Sequence, residues 1–204
     1  MKKNLKLVVV GDGACGKTSL IIAHAGGEFS DNYIPTAFDD YIIETYVEGK
    51  AKHLTVCDTA GEDDFNKLRP LSYPDADVFI VCYSVERPES IKNIRESWIP
   101  EIRHFCPHTP IVLVGNKKDI RDETRRKMSK DIEASPSTST GVVDRIEAEE
   151  CAKEFSQLPL IECSAKTREN VRQVFDTALA AAIAYRNRKK NKVIQSIMKL
   201  RLVF

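Results

Sequence analysis

No stretch of this 204-residue chain approaches the roughly 20 consecutive apolar residues that a membrane-spanning helix needs, so no integral membrane protein is expected. No secretory leader is expected either. Met1-Lys2-Lys3-Asn4-Leu5-Lys6 is basic, but the apolar run behind it, Leu7-Val8-Val9-Val10, meets glycine too soon, which predicts a cytoplasmic address. Cysteine is scattered: Cys15, Cys57, Cys82, Cys106, Cys151 and Cys163 form no CxxC pair, a distribution that predicts buried thiols and no disulfide or zinc site. Internal repeats are absent, and the single low-complexity stretch, Ser135-Pro136-Ser137-Thr138-Ser139-Thr140-Gly141, reads as a loop inside one domain. Acidic residues are lacking after Asp176, whereas Arg186, Arg188, Lys189, Lys190, Lys192, Lys199 and Arg201 are basic. The near-neutral formal charge of +1 therefore conceals a basic tail. No nucleic-acid partner is implied, and a monomer is expected.

What the sequence does contain is an alternation of short β-branched runs with helical patterns. Leu5–Val10, Val78–Tyr83 and Ile111–Gly115 read as strands buried on both faces, the mark of a parallel sheet. Tyr41–Val47 and Lys52–Cys57 flank the turn-forming Glu48-Gly49-Lys50 and predict a hairpin that adds one antiparallel strand. Leu158–Cys163 would be the last strand. Pro88 suits a first helical turn, with Ile91, Ile94, Trp98, Ile102 and Phe105 following at helical spacing. Val171, Val174, Phe175, Ala178, Leu179, Ala182 and Ile183 repeat that spacing near the end. The whole predicts a doubly wound α/β fold with a mostly parallel six-stranded sheet, whose ligands bind at the carboxyl ends of the strands.

Four motifs fall at those ends. Gly11-Asp12-Gly13-Ala14-Cys15-Gly16-Lys17-Thr18 follows a strand and opens a helix, as a phosphate-binding P-loop does. Its backbone N–H groups would wrap phosphate oxygens, Lys17 would reach the β- and γ-phosphates, and the Thr18 hydroxyl would ligate Mg²⁺. Asp58-Thr59-Ala60-Gly61 would hold Mg²⁺ through water at Asp58 and touch the γ-phosphate with the Gly61 N–H. Asn116-Lys117-Lys118-Asp119 addresses the base: guanine offers adjacent N1–H and N2–H donors that one carboxylate accepts together, and adenine lacks that pair. Asp119 is thus the expected guanine reader, with Asn116 bracing the loops and the Lys117 stem along the base plane. Ser164-Ala165-Lys166 could present the Ala165 N–H to the guanine carbonyl, while Ser164 could equally cap a helix.

In the order and spacing of these motifs the chain resembles the Ras superfamily of small GTPases. More narrowly it resembles the Rho family, through Tyr33-Ile34-Pro35-Thr36-Ala37-Phe38, Lys67-Leu68-Arg69-Pro70-Leu71-Ser72-Tyr73-Pro74, Trp98-Ile99-Pro100-Glu101 and His104-Phe105-Cys106-Pro107. Thr124-Arg125-Arg126 after Asp119 places it nearer Rho than Rac. The resemblance implies a G domain over residues 1–185, with a Rho-type insert at about 121–143 and a basic tail over 186–204. It implies GTP, GDP and Mg²⁺ as ligands, with exchange factors, GTPase-activating proteins and effectors as partners at the switch regions. By the same resemblance Ser19 joins the phosphate site, Phe29 packs on guanine or its ribose, and Tyr33 lids the phosphates. Thr36 binds Mg²⁺ and the γ-phosphate in the first switch, and residues 60–73 form the second. An apolar effector patch is expected from Ala37, Phe38, Leu68 and Leu71.

Departures from the family pattern carry their own expectations. Glu62 stands where the family has the glutamine that orients the attacking water; it keeps an acceptor, loses the amide donor and brings negative charge to the catalytic set of Lys17, Thr36, Gly61 and Glu62. Either hydrolysis is altered in rate, or the chain is a GTP-loaded effector-binding module with negligible turnover. A P-loop kinase or ATPase is disfavoured by Asp119 and Ser164-Ala165-Lys166. Cys57 replaces an aromatic residue that faces exchange factors. The last residues, Arg201-Leu202-Val203-Phe204, carry no prenylatable cysteine fourth from the end. Val193, Ile194, Ile197, Met198, Leu200 and Phe204 beside the basic cluster would suit a helix on the anionic inner face of the plasma membrane.

Overall fold

The computed structural model describes residues 4–30, 38–47, 50–130 and 141–201. Six strands, β1 (Leu5–Val10), β2 (Phe38–Val47), β3 (Lys50–Thr59), β4 (Val78–Ser84), β5 (Ile111–Asn116) and β6 (Leu160–Glu162), form one sheet in the order β2-β3-β1-β4-β5-β6. Every pairing is parallel except β2 with β3, which is the predicted hairpin. It is longer than the apolar pattern suggested, because Phe38 to Asp40 pair with Thr59 to Cys57 and continue the ladder. Asp58 and Thr59 therefore lie within β3, and the loop begins at Ala60.

The apolar runs are continuous because both faces are covered. Alternate side chains of a strand point to opposite faces: Leu7 and Val9 pack with Leu20, Ile21, Val174 and Phe175, while Val8 and Val10 pack with Ile91, Ile94, Trp98 and Ile102. The first layer is built by α1 (Lys17–His24) and α6 (Val171–Arg201), the second by α2 (Pro88–Asn93), α3 (Ile99–Phe105) and α5 (Arg145–Glu154). Between α2 and α3 the chain makes a π-helical turn over Ile94–Trp98. The wider turn rotates the residues of α3 about the helix axis, so Trp98, Ile99 and Ile102 are buried while Phe105, expected in the core, is 51% exposed.

Helix α5 was not foreshadowed by the sequence pattern. Its buried face consists of Ala148, Cys151 and Ala152, too small to print a strong apolar period. α4 (Lys118–Lys130) covers the first part of the stretch expected to be an insert, about 121–143, of which residues 131–140 lie outside the described ones. The chain returns at Val143, buried and donating its N–H to the Val85 carbonyl at 2.8 Å. The division expected at Tyr185 falls inside α6, which runs unbroken for 31 residues. Arg186 is fastened to the body, its guanidinium on both carboxylate oxygens of Asp77 at 2.7 and 2.6 Å. No described helix is long and apolar enough to cross a membrane. All six cysteines are free, five of them buried.

Candidate functional site

At the carboxyl ends of β1, β3, β5 and β6 the loops enclose a cleft of about 500 Å³, walled by Gly16, Lys17, Thr18, Ser19, Phe29 and Gly61 on one side and Asn116, Lys117, Asp119, Ala165 and Lys166 on the other. Ala14 and Glu62 also reach it. Residues from four separate motifs, up to 152 positions apart in the chain (Ala14 to Lys166), thus meet around one space. Tyr33, Thr36 and Ala37 lie outside the described residues.

The loop after β1 is shaped by backbone that few residues tolerate. Gly16 has φ +89°, and a Cβ there would come within 2.4 Å of Asn116 Nδ2; only glycine lets the loop lie this close to β5. Lys17, 6% exposed, donates to the carbonyls of Gly11 (2.8 Å) and Asp12 (2.9 Å). A buried ammonium whose hydrogen bonds among the described residues go to neutral carbonyls brings positive potential to the start of α1, a setting suited to phosphate. Asp12 and Cys15, read as part of the binding loop, turn their side chains elsewhere. The Asp12 carboxylate accepts from Trp98 Nε1 (2.7 Å) and Asn93 Nδ2 (2.8 Å). Cys15 is fully buried, its thiol held low chiefly by a hydrogen bond with Cys82.

Asp58 sits 1% exposed at the end of β3. Its Oδ2 accepts the Thr18 hydroxyl at 2.5 Å, while Oδ1 is buried and lacks a hydrogen-bond partner among the described residues. Burial raises its carboxyl above the usual carboxylate range, against the pull of Thr18 and Lys17. A buried carboxylate oxygen with nothing to accept, next to a hydroxyl, has the hard-oxygen chemistry that Mg²⁺ takes. The donor set therefore fits the cation.

Asp119 shows the same signature in the wall of the cleft, with Oδ1 buried and without a partner among the described residues. Its loop is held by Asn116, 1% exposed, whose amide donates to the carbonyls of Cys15 (3.2 Å) and Gly16 (3.1 Å) and whose Oδ1 accepts the backbone N–H of Lys117 (2.8 Å). The bracing role expected of Asn116 is thus visible as hydrogen bonds. The same Oδ1 also accepts the Ala165 N–H, the donor expected to face the base carbonyl, at 3.1 Å. Ser164 does not cap α6, which starts seven residues later at Val171. Instead its hydroxyl accepts the Thr167 N–H at 3.1 Å and closes a local turn. Phe29, 40% exposed, forms one wall, with the Lys166 ammonium 5.9 Å from its ring centre.

Several contacts that matter to this geometry are not announced by the motifs. Lys117 has φ +64° and is ion-paired with Glu86, which fixes its stem. Arg87 donates to the Gly13 carbonyl at 2.9 Å. Arg121 and Glu162, each with a side chain 3% exposed, form a buried pair that ties the start of α4, just past Asp119, to β6. Only Trp98 left a signal: an indole N–H counted as core must find an acceptor somewhere.

Of the residues expected to form an effector patch, three are described. Leu68 and Leu71 are 50% and 75% exposed, and Phe38, 37% exposed, meets Phe65 edge to face at 6.1 Å. Cys57 is buried opposite Asp40 on β2, its thiol pushed up to about 12 by burial and by that carboxylate. A family model described as "Ras family" matches residues 6–184 of the chain.

Proposed function

The chain belongs to the Ras family, hence to the small GTPases that act as GTP-binding switches, and from that premise we propose that it is a Rho-type member using Mg²⁺-bound GTP to control effector binding. The observation that carries the reading is a pair of orphaned carboxylate oxygens: Asp119 Oδ1 in the wall of the cleft, and Oδ1 of the buried Asp58, whose other oxygen accepts the hydroxyl of the cleft-lining Thr18. Asp119 accepts the paired N–H donors of guanine, Phe29 and the Lys117 stem flank the base, and the loop from Gly11 to Ser19 wraps the phosphates. Thr18, Asp58 and Thr36 hold the cation, whose charge neutralises phosphate oxygens when bound. Tyr33 and Thr36 of the first switch and Gly61 of the second respond to the γ-phosphate, and loss of that phosphate releases both.

Support for the narrower Rho assignment comes from the motifs around Pro35, Pro70 and Pro100, and from the length of chain between Asp119 and Val143. On that basis its outputs run through exchange factors, activating proteins and effectors at the switch surface, toward the actin cytoskeleton. A second reading, a GTP-loaded module with little turnover, is favoured by one residue, Glu62. Competition decides the base: GTP is expected to displace a bound fluorescent guanine nucleotide in the presence of Mg²⁺, and ATP at equal concentration is not. Displacement by ATP would refute the assignment.

We also propose a peripheral membrane site on the cytoplasmic side for the end of α6. Arg188, Lys189, Lys190 and Lys192 are exposed there, and each basic residue near an anionic surface contributes about 1 kcal/mol. Sedimentation with phosphatidylserine liposomes is expected to fall by about tenfold or more when the residues after Arg186 are deleted. Undiminished sedimentation would remove the membrane role and leave the nucleotide site untouched.

A further inference from the structure

The loop after β3 is gripped from behind by a side chain to which neither the motifs nor the cleft assign a role. Arg69 is 3% exposed although it comes directly after an exposed Leu68. Its guanidinium donates to the Ala60 carbonyl at 3.2 Å, to both carboxylate oxygens of Glu101 at 3.1 and 2.9 Å, and to Asn66 Oδ1 at 2.8 Å. The Tyr73 hydroxyl donates to the same Glu101 carboxylate. The guanidinium carbon also lies 4.2 Å from the ring centre of Trp98, whose indole N–H is donated to the Asp12 carboxylate. A continuous set of contacts therefore joins the P-loop to the backbone just ahead of Gly61.

The peptide unit between Ala60 and Gly61 is trans, like every described peptide bond, so its C=O and N–H point in opposite directions. Holding the Ala60 carbonyl on Arg69 consequently aims the Gly61 N–H away from Arg69, on the side where Gly61 lines the cleft. The next peptide is pinned too, since the Gly61 carbonyl accepts the Gly13 N–H at 3.1 Å. There is no slack for a different route: a Cβ on Gly61 would lie 2.4 Å from the Asp12 carbonyl carbon and the Gly11 oxygen.

We propose that Arg69 is a positioning residue for nucleotide-state sensing, setting the Ala60–Gly61 peptide so that the Gly61 N–H meets a γ-phosphate, with Trp98 and Asp12 registering that setting against the P-loop. This inference rests on the guanine-nucleotide reading above. GDP has no γ-phosphate, so the clamp contributes to GTP binding and not to GDP binding. A merely structural Arg69 would affect both alike.

The test is the affinity ratio of the full chain for GDP and for the imido analogue of GTP, measured by titration with Mg²⁺. Arg69→Lys keeps the charge but loses the planar fork; it is expected to weaken the analogue about tenfold, the size of one charge-assisted hydrogen bond, with GDP affinity unchanged. Trp98→Phe preserves an aromatic platform for Arg69 and removes only the indole donor to Asp12; a shift in the same direction is expected, and this variant keeps the test open should Arg69→Lys fold poorly. Equal weakening of both nucleotides in both variants, or a ratio that does not move, overturns the proposal. Failure of the unaltered chain to bind GDP would instead overturn the nucleotide reading itself.

Discussion

Asp119→Ala is expected to lower the affinity for GTP and GDP by about 10²- to 10⁴-fold and to erase the preference for GTP over ATP. The size follows from two charge-assisted hydrogen bonds at about 1.5–3 kcal/mol each, lost together because one carboxylate accepts both base donors. The structure adds a reason to expect the upper part of that range. Asp119 Oδ1 is buried and without a partner among the described residues, so the folded chain already carries the cost of desolvating it, and only a ligand with N–H donors offsets that cost. The control is inosine triphosphate, which keeps N1–H and lacks the 2-amino group. The parent is expected to bind it about tenfold or more weaker than GTP, and Asp119→Ala to distinguish the two hardly at all. Displacement titrations read all four numbers. An alanine variant that still prefers GTP over ATP would mean that some other group reads the base.

How far this site could be read from the chain depends on which forces print themselves locally. β1, β4 and β5 were legible because strands buried on both faces must be apolar without a break, and the ends of β1, β3 and β5 carry residue types dictated by phosphate, cation or base chemistry. Asp58, Asn116 and Asp119 could be named for that reason. α5 could not, because it packs through Ala148, Cys151 and Ala152 against the sheet and needs no large apolar residue. Arg69 and Glu101 stand in two separate family-like motifs, with nothing in either to say that they meet. Only the fold brings a fork and a carboxylate from segments 32 residues apart into a buried bidentate pair. The contact of the Ala165 N–H with Asn116 Oδ1 was not legible either, because the two residues lie 49 positions apart in sequence. Local chemistry is visible to a linear reading, while contact between distant partners is not.

Glu62→Gln is expected to raise activator-stimulated GTP hydrolysis by about tenfold at the least, toward the 10³–10⁵-fold that an arginine finger contributes when the water-orienting residue is intact. Glu62 lines the cleft next to Gly61 and starts the turn Asp63–Phe65 through its carbonyl, which accepts the Phe65 N–H at 3.2 Å. That backbone anchoring runs through the main chain, and the substitution changes what the side chain offers. A glutamine amide can accept from the attacking water while donating to a phosphate oxygen; an ionised glutamate can only accept, and at about 4 Å from a phosphate charge it adds repulsion of about 4 kcal/mol at the effective dielectric of a protein surface. The repulsion would be greatest in the GTP state, where the γ-phosphate is present, so the parent chain should hydrolyse GTP slowly and respond weakly to a Rho-type activating domain. Single-turnover phosphate release, with and without that domain, measures both. If the glutamine variant is stimulated no more than the parent, Glu62 is not what limits turnover, and the reading of this chain as a GTP-loaded module loses its one supporting residue.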